Sequence, residues 1–109
     1  VMDLDKMTIS EARQLAAMFS GEKVHAYEIG AVYLIRTVTM IDTGRLVQVT
    51  EHELVLEDAA WIADTGRFAQ AVEKAEFGEV EPFPPGRVIV GRSAVIDAVR
   101  ITLAPRSQK

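Results

Sequence analysis

Apolar residues near the start of the chain recur with the period of an amphipathic helix. They follow one another at spacings of three or four residues, at Ile9, Ala12, Ala16 and Phe19. Such spacing places them on one helix face. Thr8-Ile9-Ser10-Glu11 fits a capping box, in which Thr8 is the N-cap and Glu11 reaches back to it. Gly21 suits the left-handed residue that often ends a helix. The pattern predicts a short helix over about 8–20 that packs over one opening of the fold.

Runs rich in β-branched and aromatic residues follow, and they predict strands. They lie at 32–35, 38–41, 47–49 and 54–56. The apolar residues fall on even positions before Gly44 and on odd positions after it, at Val38, Met40, Val47 and Val49. A bulge or sharp bend at Gly44 would keep both sets on the same face. We therefore predict closely connected strands within about 31–62.

The strand pattern stops after Ile62 and resumes at Arg87. Asp64-Thr65-Gly66-Arg67 is typical of a turn into a second short helix, and prolines at 82, 84 and 85 interrupt regular structure. These features predict an insertion over about 63–86. Two further strand signals, at 87–90 and 94–101, are joined by a tight Gly91-Arg92-Ser93 connection, so strands extend over about 87–102. The polar tail 105–109 is expected to fray.

Composition and length fit one ordinary globular domain over residues 1–109. The chain is 49% apolar and 26% charged and contains no cysteine, which excludes disulfides and thiolate metal sites. Its formal net charge is −4, so the chain lacks the excess of basic residues that is usual in nucleic-acid-binding proteins. No apolar run approaches the roughly 18 residues of a membrane span, and the first residues do not form a secretory signal. An intracellular protein without a membrane partner is expected.

The order of these elements predicts a mainly β fold. We expect a small, strongly bent, five-stranded antiparallel barrel, because short bent strands of this kind tend to close rather than leave open edges. An N-terminal helix precedes the barrel, and the helical insertion lies between strands 3 and 4.

Two segments resemble the motifs of the Sm and LSm-like family. In the first, 44–49 is similar to the bent second strand, Glu51-His52 to the following turn and 54–59 to the third strand. The second motif, a strand, a glycine-containing turn and a final strand, is similar to 88–96. The wider run from Leu34 to Phe68 resembles small Sm-like proteins of phage and prophage origin.

The resemblance implies a non-catalytic subunit of a homo-oligomeric ring that binds RNA. The ring joint would form between the last two strands of neighbouring subunits and involve Val88, Val90, Ile96 and Val99. The RNA site would lie at the two turns, at His52, Glu53, Arg92 and Ser93. No cofactor and no metal are implied, and the location would be the cytoplasm, that of the host cell if the protein is phage-encoded.

The sequence departs from the family at the RNA-binding positions. Thr50 stands where the family has an aspartate, His52-Glu53 replace a Met-Asn pair, and Val90 replaces the arginine before the glycine. These departures favour an alternative, a ring-forming phage structural or assembly protein without a nucleic-acid role. Fold resemblance alone does not establish function.

Other charged and aromatic residues allow more than one interpretation. Four arginines follow a glycine and could bind phosphate or simply lie in exposed turns: Arg45, Arg67, Arg87 and Arg92. His52 could contact a base, or bind a metal with Glu51 and Glu53, or be solvated. Carboxylates at Glu57, Asp58 and Asp64 could form a catalytic pair, but no nucleophile or phosphate loop accompanies them, so no enzyme is expected.

The acidic run and the aromatic residues are the last features with two interpretations. The run between Glu73 and Glu81 is either a solvated helix face and linker or a docking surface for a basic partner. Trp61 and Tyr33 are expected to fill the core or a subunit joint rather than stack on bases.

Overall fold

The computed structural model describes residues 8–12 and 25–109. Within the first range, the chain becomes helical at Ile9. The hydroxyl of Thr8 accepts a hydrogen bond from the backbone N–H of Glu11 at 3.1 Å, so Thr8 is the N-cap as predicted. The rest of the predicted helix, and its packing over the fold, lie outside the described residues.

The described chain forms one antiparallel sheet of six strands. They are β1 (Val32–Thr37), β2 (Ile41–Val49), β3 (Glu53–Asp64), β4 (Glu79–Pro82), β5 (Arg87–Gly91) and β6 (Val95–Arg100). The order is β4-β3-β2-β1-β6. Strand β5 also pairs with β3, along residues 53–57 near its start, whereas β4 pairs with residues 60–64 near its end. The mainly β prediction is confirmed, as are the two strands on either side of Gly91-Arg92-Ser93. The sheet is not closed, and it has six strands where the sequence predicts five.

The additional strand, β4, lies within the predicted insertion. Val80 pairs with Ile62 of β3 and is buried, while Glu79 and Glu81 on either side of it are exposed. Its proline made the segment look irregular in the sequence. Pro82 is tolerated because it ends a strand at the side of the sheet, where a missing N–H costs little.

The predicted bend at Gly44 is present as a β-bulge. The register between β2 and β3 shifts between Thr43 and Arg45, opposite Asp58, whose φ of 52° is left-handed. A Cβ on Gly44 would lie 3.0 Å from the Cβ of Leu56. Glycine therefore allows the two strands to approach closely at the bend.

Each face of the sheet carries its own apolar cluster. The first contains Tyr33, Ile35, Leu46, Leu54, Leu56 and Val90 among others. The second contains Leu34, Ala60, Ile62, Ala71, Phe77, Val80 and Ile101. Alternation along β1 sends Ile35 to one cluster and Leu34 to the other. Tyr33, which the sequence predicts to fill the core or a subunit joint, is buried in the first cluster.

The second cluster is covered by the predicted insertion helix, which spans Phe68–Lys74 and buries Ala71. Asp64 organises the turn before it, because its carboxylate accepts a hydrogen bond from the N–H of Gly66 at 2.8 Å. The backbone of Gly78 returns to the same place and donates to the carbonyl of Asp64 at 2.8 Å. Asp64 therefore connects the turn before the helix with the turn after it, at Gly78. Within the described residues, no helix is long and apolar enough to span a membrane.

The tail is docked rather than frayed. Arg106 donates hydrogen bonds to the carbonyl oxygens of Ala59 at 2.6 Å and Phe83 at 3.0 Å. Lys109 and Val80 exchange two backbone hydrogen bonds of 2.9 Å. The prediction of a frayed tail is wrong because polar composition does not reveal these specific bonds to backbone carbonyls.

Candidate functional site

The two turns that the resemblance singles out lie side by side at one end of the sheet. Glu53, at the start of β3, is in register with Gly91, at the end of β5. The N–H of Arg92 donates to the carbonyl of His52 at 2.9 Å. A short 3₁₀ helix, Arg92–Ala94, then leads into β6. The predicted site residues His52, Glu53, Arg92 and Ser93 are therefore neighbours, although they are far apart in sequence.

The guanidinium of Arg92 is engaged with the protein backbone. Its Nη1 donates to the carbonyl of Thr50 at 2.6 Å and reaches that of Glu51 at 3.3 Å. The Thr50 hydroxyl accepts from the N–H of Glu53 at 3.1 Å, which closes the β2–β3 turn locally. Arg92 consequently ties the two turns together, a role that its position after a glycine did not indicate.

A pocket with two tyrosines lies next to Arg92. It encloses about 330 Å³, and its lining includes Tyr27, Tyr33, Arg92 and Ile96. The centroids of the Tyr27 and Tyr33 rings are 6.0 Å apart, and the two rings meet edge to face. The Arg92 guanidinium carbon lies 5.9 Å from the centroid of the Tyr27 ring. The Tyr33 hydroxyl accepts from the N–H of Glu28 at 2.9 Å. Sequence reasoning missed Tyr27, because it precedes the strands and carries no motif.

The charge at the β2–β3 turn is largely negative. The side chains of His52 and Glu51 are 84% and 78% exposed, and His52 Nε2 lies 3.9 Å from the Glu51 carboxylate. Glu53 is also exposed. No group of three or more metal-ligating side chains that could hold a metal ion occurs within the described residues. The carboxylates of this turn attract a basic ligand and repel an anionic one such as an RNA phosphate.

Two other arginines that follow glycines form ion pairs with carboxylates. Arg45 donates to Glu57 at 3.1 Å and Asp58 at 3.4 Å, and Arg87 reaches Glu57 at 3.4 Å. Hydrogen bonds from Arg45 to these carboxylates raise the pKa of Arg45. Glu57 and Asp58, which the sequence left open as catalytic carboxylates, are therefore members of an exposed ion-pair cluster. Arg67 stands at the N-terminal boundary of the insertion helix.

The proposed joint residues differ in exposure. Ile96 is 66% exposed, whereas Val90 is buried in its own core. Val88 and Val99 are half-buried and pack against the two clusters. Val90 therefore cannot offer its side chain to a second subunit. Two exposed residues were missed, Ile89 on β5 and Val38 beside β6, at 61% and 72% exposure.

Strands β5 and β6 each have a free edge within the described part of the chain. There β5 pairs only with β3, and β6 pairs only with β1. Val38 lies close to β6, because its N–H donates to the carbonyl of Ala94 at 3.0 Å. Val38 therefore extends β1 on the paired side of β6, and with Arg36, Met40 and Ile96 it lines a depression there rather than at the free edge.

Comparison with known proteins gives no match: no family model, no curated protein and no solved structure is significantly similar to the chain.

Proposed function

We propose that the protein is a non-catalytic, Sm-like subunit that forms a homo-oligomeric ring. The observation that carries this proposal is the position of β5 and β6 at opposite ends of the run β5-β3-β2-β1-β6. An unpaired strand edge is a template for pairing with another chain. Two different edges on one subunit make a head-to-tail contact, and such contacts produce a ring when the rotation closes.

Exposed apolar side chains on both edges support the same assembly. Ile89 projects from β5 and Ile96 from β6, and each is more than half exposed. Pairing β5 of one subunit with β6 of the next would cover these side chains and satisfy the free backbone groups. The five-stranded Sm-like barrel enters this proposal as the bent run β5-β3-β2-β1-β6, whose two ends remain open for the neighbouring subunits.

The mass of the protein in solution tests the ring. Light scattering should give an integer multiple of three or more of the 12.0 kDa chain mass, independent of protein concentration over a wide range. A monomer or a closed dimer would contradict the proposal, because neither uses both edges in a head-to-tail ring.

RNA binding at the two turns is the second part of the proposal. The Tyr27 ring and the Arg92 guanidinium give this pocket one aromatic and one cationic wall, which is chemistry used to hold unstacked bases, while Tyr33 is buried in the core beside them. Subunits in a ring would repeat this pocket around one face. In the cytoplasm, short single-stranded RNA would be the ligand.

The contacts of Arg92 favour a second candidate, a ring-forming structural or assembly protein that binds no nucleic acid. The guanidinium is already bonded to two backbone carbonyls, and Glu51 and Glu53 flank the turn. Anisotropy of a labelled uridine-rich or adenine-rich RNA at low salt separates the two candidates. Saturable binding that weakens with salt supports RNA binding. The absence of such binding supports the ring-forming structural protein instead.

A further inference from the structure

A further pocket has no lining residue on β5 or β6, although Met40 at its margin also lines the depression that contains Ile96. Its volume is about 420 Å³, and its walls are Met40, Asp42, Trp61, Glu81, Pro82, Phe83 and Pro84. Trp61 and Met40 are 39% and 50% exposed, so the indole that the sequence placed in a core or a subunit joint is open to solvent in the subunit. We call this pocket the Trp61 groove.

Strand register fixes the arrangement of the groove. Asp42 of β2 is directly opposite Trp61 of β3, and Trp61 is directly opposite Glu81 of β4. Directly opposed residues share a face and lie side by side. The indole therefore has a carboxylate on each side, while Met40, Phe83 and the two prolines supply apolar walls.

The docked tail holds one wall of the groove in place. Arg106 binds the carbonyl of Phe83, and the Gln108 side-chain amide donates to the Glu81 carboxylate at 3.1 Å. The backbone N–H of Phe83 donates to Ala59 at 2.9 Å. The groove is thus a supported feature of the fold rather than a gap between loose segments.

Within the part of the chain that the structure describes, the carboxylates of the groove have no cationic partner. Among the described residues, no lysine or arginine forms an ion pair with Asp42 or Glu81, and Arg36 of the adjacent β1 is bound to Asp97. Burial alone raises the pKa of Asp42. A half-buried carboxylate without a cationic partner is unfavourable for the isolated subunit, and a bound cation would relieve that cost.

We propose that the Trp61 groove binds an arginine side chain of an apolar, proline- or leucine-containing peptide segment from a partner protein. A guanidinium can stack on an indole and donate to a carboxylate at the same time. Apolar residues next to the arginine would contact Met40 and Phe83. The two carboxylates favour this occupant over an anionic one, and the comparison of charged and uncharged peptides below distinguishes it from a purely apolar one. The inference does not depend on the proposed ring, because no residue of the groove lies on β5 or β6.

The chain offers a direct probe, since Trp61 is its only tryptophan. The peptide acetyl-Leu-Pro-Arg-Pro-Leu-amide should change the Trp61 emission in a saturable manner when added to the full chain. The same peptide with citrulline, which keeps the shape of arginine without its charge, should bind at least about tenfold more weakly, equivalent to about 1.4 kcal/mol. Calorimetry provides an independent measure of both affinities.

Matched variants locate the binding. Asp42→Asn should lower the affinity for the arginine peptide about tenfold, and Glu81→Gln should also lower it. Both variants should leave the lower affinity for the citrulline peptide unchanged. Glu73→Gln, which removes an exposed carboxylate from the insertion helix, should leave both affinities unchanged. Thermal melts of each variant establish that it is folded under the titration conditions.

Three results would overturn the inference. Equal affinity for the arginine and citrulline peptides would show that the groove selects apolar surface and not charge. Emission that depends on protein concentration and is insensitive to peptide would assign the groove to a second copy of the chain. No emission change and no heat with the arginine peptide would show that the groove does not bind it.

Discussion

The guanidinium of Arg92 donates a hydrogen bond of 2.6 Å to the carbonyl oxygen of Thr50 and thereby joins the β5–β6 turn to the β2–β3 turn. The same arginine belongs to the RNA site that the family resemblance predicts. Its backbone contacts give it a structural role whether or not RNA binds, so Arg92→Ala alone cannot separate the two roles.

Arg92→Ala should lower the free energy of unfolding by about 2 kcal/mol, since hydrogen bonds to a charged group contribute about 1.5–3 kcal/mol and the two carbonyls lose their donor. Chemical denaturation monitored by circular dichroism measures the loss. The matched control is Arg67→Ala, in a more exposed turn, which should change stability by less than about 0.5 kcal/mol. Equal effects of the two substitutions would contradict the structural role of Arg92.

Gly44→Ala should destabilise the fold by about 1–3 kcal/mol, because the new methyl group would press against Leu56 in the buried bend. The control is Gly91→Ala, where an added Cβ meets nothing within 4 Å and the backbone is extended with a φ of −67°. Denaturant midpoints of the two variants provide the comparison. A neutral Gly44→Ala would show that β2 and β3 can separate at the bulge without cost.

The fold was more accessible from the sequence than the site was. Gly44 and the alternation around it predicted the bulge, and Gly91-Arg92-Ser93 predicted the last turn, because local backbone geometry depends on local residue type. The strand around Val80 was missed, since two glutamates and Pro82 conceal a single buried residue. The exposure of Trp61 and the position of Arg106 result from packing between distant segments, which no local pattern encodes.

Ile96→Glu and Ile89→Glu should each convert the proposed ring to smaller species, because either substitution places a carboxylate in the joint between β5 and β6. Leu103→Glu is the matched control, since Leu103 is as exposed as Ile96, at 66%, but lies on neither strand. Light scattering measures the mass of each variant, and circular dichroism checks its fold. Rings that persist in both edge variants would exclude this joint.

The carboxylates of the β2–β3 turn offer a test of RNA binding that leaves Arg92 in place. Glu51→Gln and Glu53→Gln should each increase RNA affinity severalfold, because each removes a charge that repels phosphate. His52→Ala, which changes an exposed side chain, should reduce affinity if the imidazole contacts a base. Anisotropy at low salt compares these variants with Glu73→Gln as the control. An RNA signal that none of the three turn variants alters would place binding elsewhere on the chain.

Asp42→Asn should stabilise the protein at neutral pH, in contrast to its expected effect on peptide binding. Burial raises the pKa of Asp42 in the folded state above its ordinary value, so the folded state binds this proton more tightly than the unfolded state does. The charged form therefore lowers stability above the raised pKa, and protonation restores it as the pH falls through that value. Melting temperatures of the two proteins should differ at pH 7 and converge toward pH 3, with Glu73→Gln showing no such trend. A difference that is constant with pH would mean that the asparagine acts through packing rather than charge.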